Sequence, residues 1–534
     1  MSFHRLGSGA LGAAALSLCA ASAHAQLADS TQITPNVPGG QIAKSLEQQI
    51  GAGHGDEFTP GSAVYLIKRD PARAVRRGRQ LFQRKFTAEQ GQGPRVSADS
   101  SGDISENRAL GAGLSDSCAS CHGRPRGAAG AGGDVVTRPD SRDAPHLFGL
   151  GLQEMLADEI TADLRATRDA AVASARLFRR SVTVDLRSKG IRYGRIRALP
   201  DGSVDTSQVE GVDPDLRVKP FFAQGGTISI REFAIGAFKA EMGLEAPDSI
   251  LCAVTDPARP QKRTSPAGFV FDPSKDHFER PPVCDRDADG DGDGVRNEID
   301  TAVVDYMEFY LLNYFKPGTG PGSSRTRDGL NLMNQISCTG CHVQNLPIRQ
   351  DRRVADVETV HDPVRGIFNR LFATATTRFV VQPPDFDPHP QILPARQAFT
   401  VANIFTDLKR HDLGPAFHER EFDGSLVTKM MTEALWGIGT TAPYGHDGRS
   451  MNVEEAILRH GGEALTSRNS FASLASDDRR KILEFLDTLI LFPPDDTASN
   501  LNPGNPASAT PQDPASHGSI ALSVLFQIPE EGAE

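Results

Sequence analysis

A mainly α-helical fold built from two repeated domains, with irregular and short-strand insertions, is what the sequence predicts. Three observations predict it. The run Cys118-Ala-Ser-Cys121-His122 recurs in type as Cys338-Thr-Gly-Cys341-His342. Each run follows a segment of one pattern, Gly78-Arg-Gln-Leu81-Phe82 and Gly329-Leu-Asn-Leu332-Met333. Each precedes another matched pair, Leu147-Phe-Gly-Leu-Gly151 and Leu435-Trp-Gly-Ile-Gly439. Apolar residues at helical spacing are ordinary core on their own, but the same order around two motifs signals an internal repeat.

The motif itself carries chemistry. In a C-x-x-C-H run the two thiols can add to the two vinyl groups of one haem, and the adjacent His is left to bind the iron. Two runs therefore predict two covalently held c-type haems, attached through Cys118, Cys121, Cys338 and Cys341 with His122 and His342 on iron. A zinc knuckle or a dithiol redox pair would also use C-x-x-C, but neither explains a His directly after each pair. The segments before the haem motifs look like the opening helix of a cytochrome c fold, so the prediction becomes two cytochrome c-like domains.

Domain boundaries follow from composition. Residues 1–25 read as a signal peptide: Arg5 leads into the apolar stretch Ala10 to Ala21, and Ala23-His24-Ala25 offers an A-x-A cleavage site. Leu18 stands where a lipobox carries a small residue, so Cys19 belongs to the discarded signal. A periplasmic or secreted protein with no membrane span is expected, since no other segment approaches membrane length. Residues 26–74 form an N-terminal extension, and 75–250 a first haem domain. Residues 251–324 are read as a linker, 325–495 as a second haem domain, and 496–534 as a Pro/Asn/Ser-rich tail. Residues 26–70 and 496–534 read as extended wrapping segments or disordered tails. Inside the first domain, Phe86 to Ser117 is a Gly/Ser/Asp-rich insertion, Ser181 to Pro220 alternates as short strands do, and Ser229 to Met242 is an amphipathic helix. Ser476 can cap a closing helix with Ile482, Leu483, Leu486, Leu489 and Ile490 on its apolar face.

A net charge of −11 over 534 residues argues against nucleic-acid binding. Arg73, Arg76, Arg77, Arg79, Arg84 and Lys85 nevertheless cluster before the first haem motif, as a solvated helix face or as a docking point for an acidic partner or the haem propionates. In an oxidising compartment Cys252 and Cys284 are expected to form a disulfide. Between the two domains, Asp285 to Asp300 reads DRDADGDGDGVRNEID, close to a calcium loop. In the register beginning at Asp289, the ligands are Asp289, Asp291, Asp293, the Val295 carbonyl, Asn297 and Asp300. A register beginning at Asp287 gains Glu298 as closing ligand but puts Val295 where a polar residue is wanted. So many adjacent carboxylates repel one another, and a divalent ion relieves that repulsion.

The chain resembles the di-haem oxidoreductase family, which is similar to bacterial dihaem cytochrome c peroxidases and MauG-type enzymes. The resemblance is carried by Gly78 to Phe82, both C-x-x-C-H motifs, Pro145 to Leu152, Phe405-Thr-Asp-Leu-Lys-Arg-His-Asp-Leu-Gly-Pro415, and Leu435 through His446-Asp-Gly-Arg449 to Glu463. It implies that His460, standing where relatives usually place a Met, is the distal ligand of the second haem. A His342/His460 pair leaves no open position and suits electron transfer. His446 would then contact a propionate or the backbone. For the first haem no distal His or Met is evident, so the resemblance implies an open iron for peroxide or dioxygen. Glu154 would shuttle the proton, and His146 would lie nearby or serve as a sixth ligand. Trp436 would sit between the haems as a relay or as core. A small redox protein is the expected electron donor or acceptor. Two alternatives stay open: a dihaem oxygenase of the rubber-oxygenase type using dioxygen, and a dihaem cytochrome that only transfers electrons.

Overall fold

The computed structural model describes residues 45–93, 115–122, 142–313, 318–319, 322–353, 379–382, 391–394, 398–421 and 424–490, all within one compact unit. The expected signal peptide, most of the 86–117 insertion and the tail lie outside the described residues.

Helix α1 (Pro71–Gln83) begins where Asp70 accepts the Arg73 amide and Pro71 takes the first helical position, both favourable start signals. A short helix, α2 (Cys118–His122), is the first haem motif itself. The long α3 (Leu150–Phe178) follows, then an antiparallel sheet of β1 (Val182–Ser188), β2 (Ile191–Ala198) and β3 (Val204–Asp205). Leu186, Ile191, Tyr193 and Ile196 turn one face of this sheet into the core formed with Leu156, Ile160 and Leu164 of α3. Helix α4 (Ile230–Met242) is capped by Ser229, whose hydroxyl accepts the Glu232 amide. These strands and α4 are the elements that the alternation and helical spacing predict for 181–220 and 229–242. After α5 (Thr301–Leu312) come α6 (Ser324–Gln335), the second motif, α7 (Val453–Arg459) and α8 (Ser476–Leu486).

The repeated glycines explain the repeat physically. A Cβ at Gly78 of α1 would lie 2.3 Å from the Tyr306 carbonyl oxygen of α5, and one at Gly329 of α6 would lie 2.0 Å from the Lys481 carbonyl oxygen of α8. Each half thus has a helix crossing so close that only Gly fits. The second matched pair does the same at the end of the same partner helices. A Cβ at Gly151 would lie 2.0 Å from the Leu312 carbonyl oxygen and one at Gly439 2.5 Å from that of Asp487. Helix α5, the partner of the first half, lies inside the stretch read as a linker, because its sequence carries no motif that ties it to residues two hundred positions earlier.

Three details differ from expectation. Residues Leu46–Ile50 and Ala63–Arg69 are helices rather than extended chain, each started by a serine cap (Ser45, Ser62). Ser476 is the first residue of α8 instead of its cap, and Leu489–Ile490 leave the helix to pair with Gly318–Thr319. The basic cluster partly braces the fold: Arg77 bonds the Tyr306 hydroxyl (3.1 Å), Arg84 bonds Gln49 (2.9 Å) and Lys85 pairs with Asp116 (3.2 Å).

Behind α4, the wholly buried Arg231 is clamped by Asp248, by Asp305 at 2.9 Å and by Glu308 at 2.8 Å. His54 from the N-terminal extension bonds the same Asp305 at 2.5 Å, and this contact first, against its burial, raises its pKa. Cys252 and Cys284 form a disulfide with Cα atoms 5.6 Å apart.

Candidate functional site

A cavity of about 2030 Å³ receives both C-x-x-C-H motifs. Single-ligand sites are roughly 300–1,000 Å³, so it is large enough for two cofactors. Cys121, His122, Cys338, Cys341 and His342 line it, together with His146, His446, His460 and Trp436.

Backbone partners fix the tautomers of the cavity histidines. His122 donates Nδ1–H to the Pro145 carbonyl (2.7 Å), and His342 to that of Phe405 (3.1 Å). His460, at the C-terminal end of α7, does the same to Ala456 (2.8 Å). A carbonyl on Nδ1 selects the tautomer whose Nε2 carries the lone pair, as iron ligation requires. Burial lowers all three pKa values, His342 to about 4, so the imidazoles stay neutral. The electrostatic influence of His460, on the wall of the same cavity, adds to that lowering. Among the described residues, no His/Cys/Asp/Glu cluster joins the two C-x-x-C pairs, as a single zinc site would need.

Orphaned donors test whether a haem would fit. Trp436 Nε1 and Arg468 Nε are buried at the cavity without a hydrogen-bond partner, as is the acceptor Gln224 Oε1. Unmet buried donors cost of the order of 1–3 kcal/mol each, and the carboxylates of a haem would satisfy the two N–H groups. Gly236 interrupts α4 on the cavity wall, and a Cβ there would meet no atom within 4 Å. A mid-helix Gly costs about 1 kcal/mol relative to Ala, and protein packing gives no reason for it. The residues present therefore fit a flat, anionic cofactor.

Several sequence expectations change here. Glu154 is not part of the cavity wall: its carboxylate accepts the Ile230 amide and Arg352, both at 2.6 Å, behind α4. Burial, opposed by Arg352, pushes its pKa up to about 7. His146 does face the cavity, but both ring nitrogens are in use, Nε2–H donating to the Trp436 carbonyl (3.1 Å) and Nδ1 accepting the Phe148 amide (3.3 Å). Neither is free for iron. His446 lies on the wall against Phe417, with ring centroids 6.2 Å apart, while its backbone carbonyl accepts the Asp143 amide. Trp436 packs its ring where a Cβ on Gly149 would come within 2.6 Å, so only Gly fits opposite it.

Glu433 was missed by the sequence. It lines the cavity as an exposed residue with no bonded partner among the described residues, and the protein around its carboxyl, by removing solvent, pushes its pKa up to about 7. Its neighbours Thr432 and Ala434 give no motif from which to find it. His411, also on the wall, is held between Asp407 (2.9 Å) and Glu463 (2.7 Å).

In the acidic loop, Asp289, Asp291 and Asp293 bring their oxygens within 4.8 Å of one another. Asn297 and Asp300, expected to close the shell, instead bond Arg286, and Asp300 caps α5 through the Ala302 amide. Glu245 and Glu298 converge on Asp291 in their place. Burial, with Asp291 and Asp289 adding repulsion, raises the Glu245 pKa. Gly290 to Asp293 also line the cavity, so the acidic loop reaches the region of the first motif.

Among the described residues no helix is long and apolar enough to cross a membrane. Residues 343–489, just over a quarter of the chain, match the family model described as "Di-haem oxidoreductase, putative peroxidase". The match begins one residue after His342. No curated protein matches the chain.

Proposed function

We propose that this chain is an exported dihaem c-type oxidoreductase of peroxidase type, built on two cytochrome c-like domains, with a reactive first haem and an electron-transfer second haem. One observation carries the reading: both motif histidines enter the same cavity with Nδ1 tied to a carbonyl and Nε2 free. The similarity of residues 343–489 to dihaem oxidoreductases supports it. Haem iron, when bound, supplies the redox centre at which peroxide is reduced and the electrons are taken up. His122 and His342 would hold the two irons from one side. His460 would close the second, with His446 as the next candidate, leaving the first open. Trp436 Nε1 and Arg468 would hold propionate oxygens. Glu433, on the cavity wall with its pKa raised from the ordinary carboxylate value, would give and take the proton that O–O cleavage requires.

Cofactor load tests the reading directly. Denatured mature protein should retain two haems by mass, and the Cys118→Ala/Cys121→Ala protein one. No haem with bound zinc would remove the proposal. The proton role is tested separately by stopped-flow spectroscopy with peroxide. Glu433→Gln should slow the spectral change about 100-fold, the lower range for a positioned acid–base group, with haem content unchanged. Glu154→Gln should stay close to wild type, and a reversed ranking would return the role to Glu154. A wild-type protein inert to both peroxide and dioxygen would leave only electron transfer.

The acidic loop is proposed to bind calcium through Asp289, Asp291, Asp293, Glu245 and Glu298. Calcium at a hundred times its Kd should stabilise the fold by about 2.7 kcal/mol, read as a rise in Tm that a chelator reverses. Asp291→Ala/Asp293→Ala should abolish both the rise and the bound metal. An unchanged metal content would reduce the loop to a connector.

A further inference from the structure

We infer that the outer face of the β1–β2 hairpin, centred on Arg187 and Arg192, is the docking surface for an acidic one-electron carrier protein that serves the Cys338–His342 centre. The inference rests on the dihaem reading above and adds where the carrier binds and what charge it has.

The hairpin register sets Arg187 directly opposite Arg192. Both are exposed, and among the described residues neither pairs with a carboxylate. Like charges directly opposite across two strands are destabilising, so the pair holds a repulsion that an anionic partner would relieve. The inward residues of the same strands, Leu186, Ile191 and Tyr193, are fixed in the core, which prevents the arginines from turning away. Arg195 and Arg197 extend the cationic face along β2. Both are offset by carboxylates, Arg195 by Asp185 at 3.6 Å and Arg197 by its cross-strand partner Asp205, which leaves Arg187 and Arg192 as the uncompensated pair. The chain as a whole carries −11, so this face is a local exception, and an acidic carrier repelled elsewhere would be oriented onto it.

The second observation is independent of charge. Arg192 also lines a separate cavity of about 410 Å³ whose wall carries Lys189 and Lys409, the carboxylates Glu210 and Asp407, and Thr339 and Gly340, the two residues between Cys338 and Cys341. Gly340 is exposed, and a Cβ there would meet no atom within 4 Å. A carrier seated on the hairpin therefore lies beside the loop that would carry both thioethers of the second haem, which no described residue covers at Gly340. The step is a single electron: the reduced carrier loses it, the ferric iron held by His342 gains it, and no proton or group moves.

The experiment follows haem reduction in the holoprotein by stopped flow with two donors. One is a plant-type [2Fe–2S] ferredoxin, an acidic carrier of low potential, and the other is reduced lumiflavin, small and neutral. Wild-type reduction by ferredoxin should slow steeply as salt rises. Arg187→Glu/Arg192→Glu should slow it at least about tenfold at low salt and flatten the salt dependence, with the lumiflavin rate unchanged. Should the charge-reversed protein fold poorly, Arg187→Gln/Arg192→Gln carries the same test, with a flattened salt dependence expected. A wild-type ferredoxin rate in either double variant at low salt overturns the docking site. Fewer than two haems by mass in the denatured holoprotein overturns the dihaem reading instead.

Discussion

Replacing His460 by Ala should convert one of the two haems from low-spin to high-spin, with the other haem's spectrum and the haem content unchanged. The reason is geometric. His460 ends α7 with its Nδ1 on the Ala456 carbonyl, so its ring is held and its Nε2 has no other task. It shares the cavity with His342 and influences it electrostatically. Removing it leaves the second iron with one protein ligand and an open or water-filled position. Electron paramagnetic resonance reads the change, and the fraction converted should be close to complete. A low-spin signal from the second haem that persists without His460 would move the ligand to His446, whose ring lies against the same Phe417.

Arg231→Met should cost about 3–5 kcal/mol of stability, the range for removing one partner of a buried charge cluster. The arginine is wholly buried and is the shared partner of Asp248, Asp305 and Glu308. Without it those carboxylates face one another in a low-dielectric interior, with only His54 beside Asp305. Chemical denaturation of the holoprotein measures the loss. A cost below about 1 kcal/mol would mean that the carboxylates take up protons and relax. The pH dependence then separates the two cases. The cluster raises the folded pKa of His54, so its contribution is complete below the unfolded His value of about 6.5. It is lost as pH rises through the higher folded value. Arg231→Met leaves Asp305 without its cation and should strengthen this dependence.

How much of the site was legible depended on whether its signal was local. The C-x-x-C-H motifs, the disulfide cysteines and the acidic Asp289 to Asp293 run are contiguous or chemically paired, and the structure brings each group together. The matched glycines were legible as a repeat, although not the reason for them. Gly78 and Gly329 are needed because carbonyl oxygens of α5 and α8 press against them, and those helices lie far along the chain. Glu245 could not be assigned to the acidic loop for the same reason.

The roles of individual acids were not legible at all. Glu154 has the expected position after the first motif, yet a half-turn of α3 decides whether its carboxylate meets the cavity or Arg352, and the helix presents it to Arg352. His146 reaches the cavity, but its nitrogens are used by Trp436 and Phe148. Glu433 has no sequence context that marks it, and only the fold places it on the cavity wall, where the surrounding protein raises its pKa. The sequence by itself determined which residues can form covalent and coordinate bonds, because thiol, imidazole and carboxylate chemistry is carried by residue type and short spacing. Tertiary structure alone decided which faces those groups turn to the cavity and which of their atoms remain free, because burial and hydrogen bonding are set by neighbours hundreds of residues away.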